Sequence, residues 1–292
     1  MDDLGARAAP PSRAASDYAH ARHAGNSGDV FKHVALAALL RALPDAALYV
    51  ETHAGDGIFT LGSVGEWTTG VQKLWDAADG AAEGAAHGAV DRWLSAVRGF
   101  SRPGAVRPER YPGSPLLARA LLPPRARLIL HEVQGMSAHV LRRVLGDAAL
   151  AEVVEQDGFA ALPGALAQAG GGPAVALVDP PYAQKSEWDQ AAHALSAARA
   201  AAPAAALLLW YPIKALTRPR ALLAQLARLG VHGTAVELIT TPLRLKRDRL
   251  SGSGVVLAGA PRSAAEELCA ALPRLGPPLA THGEWSSVAI GF

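Results

Sequence analysis

The chain has 292 residues, of which half are hydrophobic, and a formal net charge of +2 at pH 7. This composition provides a sizeable core for one large domain or two modest ones. The small net charge excludes a surface that is strongly basic throughout, so a polyanion would have to bind at a local basic patch. The single cysteine, Cys269, excludes an internal disulfide, and the lack of both a membrane-length apolar run and a signal-peptide core predicts a protein of the reducing cytoplasm.

The chain opens with a polar segment that leads into a helix. Residues 1–16 are small, polar and proline-bearing without any period, which predicts a disordered tail. The sequence VFKHVALAALLRAL, residues 30–43, predicts a helix with Asp29 as its cap. The apolar run at 47–52 then predicts a buried strand that leads into HAGDG.

Short apolar runs that end in polar residues recur along the middle of the chain. They alternate with alanine-rich helical segments, a pattern typical of a parallel sheet with helices on both faces. In such sheets ligands bind beyond the carboxyl ends of the strands, so the polar endings are expected to gather along one edge. The predicted strands after the first cover residues 126–132, 151–157, 174–179 and 205–212.

The spacing of the motifs predicts an insertion. An acidic residue that ends the second strand of a dinucleotide-type fold usually lies ~20 residues after the glycine-rich turn. Here Gly55 and Glu132 are 77 positions apart. The helix expected between them begins only within residues 112–122, so residues 62–110 are predicted to form a small helical insertion.

The last third of the chain differs from the middle. Residues 233–242 and 253–261 flank a basic loop and are predicted to pair as antiparallel strands. Ser263 and Glu266 have the spacing of a capping box, which predicts a helix that begins at Ser263. The terminal WSSVAIGF predicts a final strand.

Three strand ends carry residues suited to a nucleotide-like ligand. In ETHAGDG, residues 51–57, the glycines allow close approach of the backbone and His53 can hydrogen-bond the ligand. Glu132 can accept two hydrogen bonds from a ribose diol, and Asp157 with Gly158 suits an adenine edge. The alternatives are an ordinary strand-to-helix turn for the first motif and helix N-caps for the other two.

The stretch ALVDPPYAQ, residues 176–184, ends an apolar run with a carboxylate, two prolines and a tyrosine. Because the prolines have no backbone N–H, the turn presents acceptors, the Asp179 carboxylate and the Pro180 carbonyl. This pair matches an amine on a conjugated ring, whose lone pair it can free toward an electrophile, and Asp179 can assist removal of the proton. Tyr182 offers a face on which the base can stack. The alternative is a proline turn that ends a strand.

These motifs together resemble a known family. The order of motifs in the RlmJ family, bacterial 23S rRNA adenine-N6 methyltransferases, is matched over residues 17–292 by YAHARHAGNSGDVFKH, ETHAGDG, YPGSPLLA, QDGF, VDPPY, LWYP and SGSG. The resemblance implies one α/β, Rossmann-like class I methyltransferase domain over residues 17–292, with a mostly parallel seven-stranded sheet. It also implies transfer of a methyl group from S-adenosylmethionine to the N6 amine of a specific adenine in 23S rRNA.

The resemblance assigns residue roles by matching position. Catalytic roles are predicted for Asp179, Pro180 and Tyr182: the resemblance implies that Asp179 contacts the reacting amine, and the turn itself gives Pro180 its acceptor role and Tyr182 its stacking role. Contacts to the target adenosine are implied for Tyr18, His20 and Lys32. Contacts to S-adenosylmethionine are implied for His33, His53, Ser114, Glu132, Asp157, Gly158 and Asp179. The hydroxyl and free N–H groups of a helix that begins at Ser114 suit a methionine carboxylate. We expect a monomer without a metal, acting on protein-free or partly assembled rRNA.

Other functions fit parts of the sequence. The DPPY motif also serves DNA adenine-N6 methylation, and a non-catalytic RNA-binding protein would use the same basic runs. A metal-dependent hydrolase would draw its ligands from His20, His23 and His33 together with Asp29.

Two basic runs and two aromatic residues leave further alternatives open. LRLKRDRLSGSG, residues 243–254, and RPERY, residues 107–111, are either a phosphate-contacting rim or solvated charged loops. Trp210 and Tyr211 either shape the base pocket or pack the core.

Overall fold

A computed structural model describes residues 23–79, 88–245 and 250–292. The predicted tail, residues 1–16, and the predicted adenosine contacts Tyr18 and His20 lie outside the described residues. Residues 246–249 of the basic loop also lie outside them.

The strands of the described residues form one large sheet and one small sheet. In chain order they are β1 (Leu48–Glu51), β2 (Ile58–Thr60), β3 (Arg110–Pro112), β4 (Arg127–His131), β5 (Ala151–Val154), β6 (Ala174–Val178), β7 (Ala206–Ile213), β8 (Gly233–Ile239), β9 (Gly252–Ala258) and β10 (Ser286–Gly291). The large sheet has the order β10-β8-β9-β7-β6-β1-β4-β5, and β2 pairs with β3.

The helices of the described residues connect these strands. In chain order they are α1 (Ser27–Ala42), α2 (Val71–Asp79), α3 (Ala89–Arg98), α4 (Ser114–Leu121), α5 (Gly135–Leu145), α6 (Gly158–Ala167), α7 (Ser186–Ala201), α8 (Thr217–Arg228) and α9 (Arg262–Leu279). None of these helices is both long enough and apolar enough to cross a membrane.

Five strands of the large sheet are parallel, and the remaining three are antiparallel to their neighbours. β5, β4, β1, β6 and β7 run in the same direction, which requires the crossover helices between them. β9 pairs antiparallel with both β7 and β8, and β10 adds antiparallel to β8. The antiparallel pairing predicted for residues 233–242 and 253–261 is therefore confirmed.

The two faces of the sheet are covered by different helices. In β1, Tyr49 belongs to the core shared with α1, α3, α4 and α9, whereas Leu48 and Val50 belong to the core shared with α6, α7 and α8. This alternation follows the two-residue period of a strand and produces a helix–sheet–helix sandwich. The predicted α/β architecture, with a mostly parallel sheet covered on both faces, is confirmed.

The segment between β1 and α4 packs on the first of these cores. β2 and β3 pair antiparallel at its two ends, with Ile58 opposite Pro112. Trp93 of α3 is fully buried in the same core as Phe31 of α1. Helices are therefore present within residues 62–110, and their delimitation as a separate insertion stays a prediction.

Three details differ from the sequence-based expectations. The large sheet has eight strands rather than seven, because the C-terminal β10 pairs with the edge of β8. α1 begins at Ser27 with Asn26 as its cap, because the Asn26 side chain accepts a hydrogen bond from the N–H of Asp29, which lies in the first turn. α9 begins at Arg262 after Pro261, without a side-chain cap. Pro261 fixes the extended approach to that helix, so the capping box at Ser263 is not needed.

Candidate active site

The polar residues that end neighbouring strands meet at one edge of the sheet, as predicted. β1 lies between β4 and β6, and the chain leaves β1 for β4 on one side and returns to β6 on the other. Such a reversal opens a crevice at the carboxyl ends of the strands. Glu51 is the last residue of β1 and Asp179 is the first after β6, so both carboxylates lie at this crevice.

Asp179 is paired with a lysine of α1. Lys32 Nζ lies 2.5 Å from Asp179 Oδ2 and 2.9 Å from Asp29 Oδ1. Burial alone would lower the pKa of Lys32, but the carboxylates of Asp179 and Asp29 raise this pKa above its usual value. Lys32 therefore carries its charge at neutral pH, and it lies 6.0 Å from the centre of the Trp210 ring.

Tyr182 is anchored to the neighbouring strand. Its φ of 52° is uncommon for a residue with a side chain. The Tyr182 hydroxyl donates to the carbonyl of Trp210 at 2.8 Å, and its ring packs on Trp188 with centroids 4.5 Å apart. Pro180 is buried beneath the same turn. Trp188 thus covers part of the ring predicted to stack on the base, and the stacking role of Tyr182 stays a prediction.

Glu51 forms a buried hydrogen-bonded cluster that sequence reasoning missed. Its carboxyl accepts hydrogen bonds from the hydroxyl of Tyr49, at 2.8 Å, and from the hydroxyl of Ser114. Complete burial raises the pKa of Glu51 to about 8, although both hydrogen bonds and Lys32 act to lower it. Glu51 is therefore mostly neutral at pH 7. Its position at a polar strand end, like that of Glu132, was the available signal.

His33 is buried on α1, directly after Lys32 in the sequence. Its Nδ1 lies 2.8 Å from the hydroxyl of Tyr111, and the two rings stack with centroids 5.5 Å apart. Burial, together with the charge of Lys32, lowers the pKa of His33 to about 3, so the ring is neutral. Its Nε2 is buried and has no hydrogen-bond partner among the described residues. A buried nitrogen of this kind is one that a bound ligand can satisfy.

His53 follows β1 at the same edge. Its Nδ1 lies 2.8 Å from the Thr52 hydroxyl, and its ring meets Phe159 edge-on with centroids 4.9 Å apart. Burial lowers the pKa of His53, which favours a neutral ring at pH 7. Gly55, two residues later, has a φ of +60°, a conformation that favours glycine.

Glu132, which follows β4, fixes the turn after β1. One carboxylate oxygen accepts a hydrogen bond from the N–H of Gly55 and the other accepts one from the N–H of Gln134, each at 2.8 Å. Each oxygen retains a second lone pair, so Glu132 can still accept hydrogen bonds from a diol. The structure therefore adds a role in holding the glycine turn to the predicted ribose contact.

Asp157 and Gly158 begin α6 after β5. The Asp157 carboxylate accepts a hydrogen bond from the N–H of Phe159 at 2.9 Å, so it caps the helix. A Cβ at Gly158 would lie 2.0 Å from the carbonyl oxygen of Thr52, which means that only glycine allows this approach of two backbones. The helix-cap alternative is correct for Asp157, which is an exposed residue, and its predicted contact with the cofactor stays a prediction.

The metal-ligand alternative gains no cluster from the structure. His23 is an exposed residue that pairs with Glu66 at 2.9 Å, and His33 faces Tyr111. Within residues 23–79, 88–245 and 250–292, no three His, Cys, Asp or Glu side chains form a group that could hold a metal ion. His20, the remaining ligand of that alternative, lies outside these ranges.

The basic runs are partly engaged in local contacts. Arg107 stacks over Trp67 at 5.2 Å, and Arg244 pairs with Glu284. Tyr111, the last residue of RPERY, is buried against His33 rather than exposed on a rim. Tyr211 packs in the core, where its hydroxyl donates to Glu237 at 3.0 Å.

A family model described as ribosomal RNA large subunit methyltransferase D, RlmJ, matches residues 44–290, which is most of the chain. The chain belongs to the RlmJ family. The predicted family and enzyme class, an rRNA methyltransferase, are thereby confirmed.

Relatives of the RlmJ family match over nearly their whole length. Ribosomal RNA large subunit methyltransferase J of Escherichia coli is 29% identical over 275 residues, which cover 91% of this chain and 95% of that protein. The protein of the same name from Haemophilus influenzae is 27% identical over 282 residues, covering 92% and 96%. A crystal structure of a protein from Legionella pneumophila has a TM-score of 0.80 at 23% identity, covering 92% of this chain and 98% of that chain, which supports the fold.

Most of the residues to which the RlmJ resemblance assigns roles are at this edge of the sheet. The structure brings together Lys32, Asp179, Pro180 and Tyr182 on one side of β1 and places further residues around the ends of β1, β4 and β5. These further residues are His53, Ser114, Glu132, Asp157 and Gly158, whereas His33 is buried on α1 against Tyr111. Sequence reasoning missed Glu51 and the contact between Asp29 and Lys32.

Proposed function

We propose that this protein transfers a methyl group from S-adenosylmethionine to the N6 amine of an adenine in 23S rRNA. The observation that carries the proposal is the position of Asp179 and Pro180 at the crevice between β1 and β6, where Lys32 holds the carboxylate. Membership of the RlmJ family supports the rRNA substrate.

The donor side of the crevice fits S-adenosylmethionine. Gly158 lets the backbone of α6 approach Thr52, and the buried Nε2 of His33, which has no hydrogen-bond partner among the described residues, would gain one from a bound ligand. α4 begins at Ser114 without a side-chain cap, and although Pro115 has no N–H, the N–H groups of Ser114 and Leu116 suit a carboxylate. Glu132 has lone pairs free for a ribose diol. When bound, S-adenosylmethionine supplies an electrophilic methyl group on a positive sulfonium.

The neutral state of Glu51 contributes to this fit. Ser114 donates its hydroxyl proton to Glu51, so an ionised Glu51 would place a negative charge beside the site proposed for the methionine carboxylate. With a pKa of about 8, Glu51 is mostly protonated at pH 7, and this repulsion is absent. His53, in the turn after β1, would line the donor side of the crevice.

The acceptor side orients the adenine amine. The carboxylate of Asp179 and the carbonyl of Pro180 would accept the two N–H groups, which directs the nitrogen lone pair toward the methyl carbon. The N6 nitrogen would then form a bond to that carbon as the carbon–sulfur bond breaks, and one N6 proton would pass to Asp179 or to water. Alignment of nitrogen, carbon and sulfur supplies most of the rate enhancement in such a reaction. The ring of Tyr182 would stack on the base.

The remaining parts of the proposal concern the substrate and its surroundings. The target adenine must leave its stack to reach the crevice, so protein-free or partly assembled rRNA is the proposed substrate. Tyr18, His20 and Lys32 would contact it. We propose that the enzyme acts as a cytoplasmic monomer whose methyltransferase domain covers residues 17–292, with residues 62–110 as an insertion.

A direct assay tests this function. Purified protein and radiolabelled S-adenosylmethionine are incubated with protein-free 23S rRNA, and the digested product is separated by chromatography. Label in N6-methyladenosine is expected. In a parallel reaction with DNA in place of rRNA, label in DNA adenine and none in rRNA would favour the DNA alternative, and label in another base would reject the proposal. Stoichiometric zinc or iron in elemental analysis would revive a metal-dependent hydrolase.

A further inference from the structure

Asp29 of α1 joins the turn before the helix to the ion pair at the crevice. Its Oδ1 accepts a hydrogen bond from Lys32 Nζ and its Oδ2 accepts one from the N–H of Gly25, each at 2.9 Å. We propose that Asp29 is a positioning residue for methyl transfer, which holds the Lys32 ammonium against Asp179 and fixes it relative to the turn at which the N-terminal segment enters α1. This inference rests on the function proposed above, in which Asp179 accepts the amine.

The contacts of Asp29 require its charged form. Burial acts to raise the pKa of Asp29, but the charge and hydrogen bond of Lys32 and the hydrogen bond from Gly25 together lower it below its usual value. Both carboxylate oxygens are used as acceptors, and Asp29 is therefore ionised at neutral pH. An uncharged side chain of the same shape would keep only one of these two acceptors.

The turn held by Asp29 is packed tightly. Gly25 has a φ of +75°, and a Cβ added there would lie 3.0 Å from Val71. At Gly70, an added Cβ would lie 2.0 Å from the carbonyl oxygen of Gly25, so the two segments are in backbone contact. Asn26 also donates to Glu66 at 3.0 Å. The close packing therefore holds the turn in place. Because Asp29 bonds both the Gly25 N–H of this turn and Lys32 Nζ, it fixes Lys32 relative to the turn.

The charges that face Lys32 determine what the loss of Asp29 would do. Lys32 is faced by Asp29 and the neutral His33 on α1, by Asp179 after β6 and by Glu51 at the end of β1. The two aspartates raise the pKa of Lys32 against the effect of burial. Without the charge of Asp29, the effect of burial is less opposed and the pKa of Lys32 falls. The ammonium would then be lost as pH rises through this lower value.

Heteronuclear NMR of the lysine side chains tests the inference without depending on activity. The chain contains five lysines, so the ζ-nitrogen resonance of Lys32 can be assigned with a Lys32→Arg variant. In the wild-type protein we expect the Lys32 ammonium signal to persist to high pH. In Asp29→Asn its midpoint should fall by at least about one pH unit. Asp45→Asn, which removes an exposed carboxylate beyond the other end of α1, is the matched control and should leave the signal unchanged.

Kinetics connect the NMR result to methyl transfer. Asp29→Asn should lower kcat about tenfold or more above the pH at which its Lys32 ammonium signal is lost and less below that pH, with an unchanged dissociation constant for S-adenosylmethionine. Asp29→Glu, which keeps the charge, should recover most of the Lys32 signal at high pH. Asp29→Ser, which suits a first helical turn, replaces the Asn variant if that variant does not fold.

The outcomes separate this inference from the function on which it rests. A Lys32 signal and a pH profile in Asp29→Asn that match the wild type would overturn the role of Asp29, even if rRNA is methylated normally. If the wild-type protein labels no rRNA but the Lys32 signal still shifts in Asp29→Asn, the proposed function is refuted. The contact by which Asp29 holds Lys32 would nevertheless be supported.

Discussion

The hydroxyl of Tyr182 donates to the backbone carbonyl of Trp210 at 2.8 Å, and this bond ties the turn after β6 to strand β7. The turn carries Asp179 and Pro180, so its position relative to β7 determines where the two acceptors point. Burial raises the pKa of Tyr182 well above 10, which keeps its hydroxyl a donor over the working pH range. One hydrogen bond thus stabilises a backbone conformation that is unfavourable for a tyrosine.

Replacement of Tyr182 by phenylalanine tests this anchor. The variant should lose about 1 kcal/mol of unfolding free energy, because a half-buried hydrogen bond is lost while the ring contacts remain. kcat should fall several-fold without a change in cofactor affinity. Tyr211→Phe is the control: it removes the bond to Glu237 in the core and should lower stability but not kcat. Equal kcat values for the two variants and the wild type would contradict the anchoring role.

Replacement of Asp179 by asparagine tests the proposed amine acceptor. The variant keeps the size of the side chain but loses the charge that pairs with Lys32 and that, in the proposed reaction, holds the adenine amine. We expect methylation to fall by about 10²–10⁴-fold, with S-adenosylmethionine still bound. Isothermal titration calorimetry and single-turnover kinetics measure the two effects separately. Asp189→Asn, on the exposed first turn of α7, is the matched control. Near-normal turnover in Asp179→Asn would count against the acceptor role.

The buried carboxyl of Glu51 predicts a pH dependence of stability. Its pKa is about 8 in the folded protein and 4.5 ordinarily, so between these values the folded state holds a proton that the unfolded state has released. The contribution of this group is fully present below pH 4.5 and is lost as pH rises to 8. The free energy of unfolding should therefore fall by on the order of a few kcal/mol over this window. Urea unfolding of Glu51→Gln should show a flatter profile, and an unchanged profile would refute the assignment.

The same carboxyl predicts a pH dependence of cofactor binding. Above pH 8 an ionised Glu51 beside Ser114 should weaken the binding of S-adenosylmethionine, because its methionine carboxylate would face a like charge. Glu51→Gln keeps a neutral hydrogen-bonding group and should retain its affinity up to pH 9. Fluorescence or calorimetric titration at several pH values measures both. A wild-type affinity that stays constant across pH 7–9 would speak against this effect.

The close approach of Gly158 to Thr52 predicts a strict requirement for glycine. An added Cβ would lie 2.0 Å from a carbonyl oxygen, and backbone atoms cannot move aside as a side-chain end can. Gly158→Ala should therefore lower the free energy of unfolding by about 1–3 kcal/mol and weaken cofactor binding. Gly164→Ala in the same helix has nothing within 4 Å and should stabilise the protein by about 0.5–1 kcal/mol. Thermal unfolding distinguishes the two, and similar changes would contradict the steric account.

The strands of the parallel sheet and the edge at which their polar ends meet could be predicted from the sequence, because both follow from local periodicity and general rules of parallel sheets. Asp179, Glu132 and Gly158 were found in this way. The eighth strand was recognised as a strand, but its place at the edge of β8 depends on pairing across the chain. Asn26 rather than Asp29 caps α1, since both are suitable cap residues and local sequence does not decide between them.

The partners of buried side chains could not be predicted. Ser114 lies 63 positions from Glu51, and Lys32 lies 147 positions from Asp179. Such contacts depend on how α1 and α4 pack on the sheet, and no local pattern encodes that packing. Glu51 was passed over because its strand end was read as part of the glycine turn, although its burial gives it a strongly shifted pKa.

The meeting of Gly158 with Thr52 also limits how this crevice can be redesigned. Its floor at that point consists of two main chains, and trimming a side chain cannot deepen it. Variants intended to accept bulkier sulfonium reagents, for attaching labels to RNA, would have to gain room from side-chain walls instead. His53 and Phe159, whose rings meet edge-on beside this floor, are the first positions to shorten.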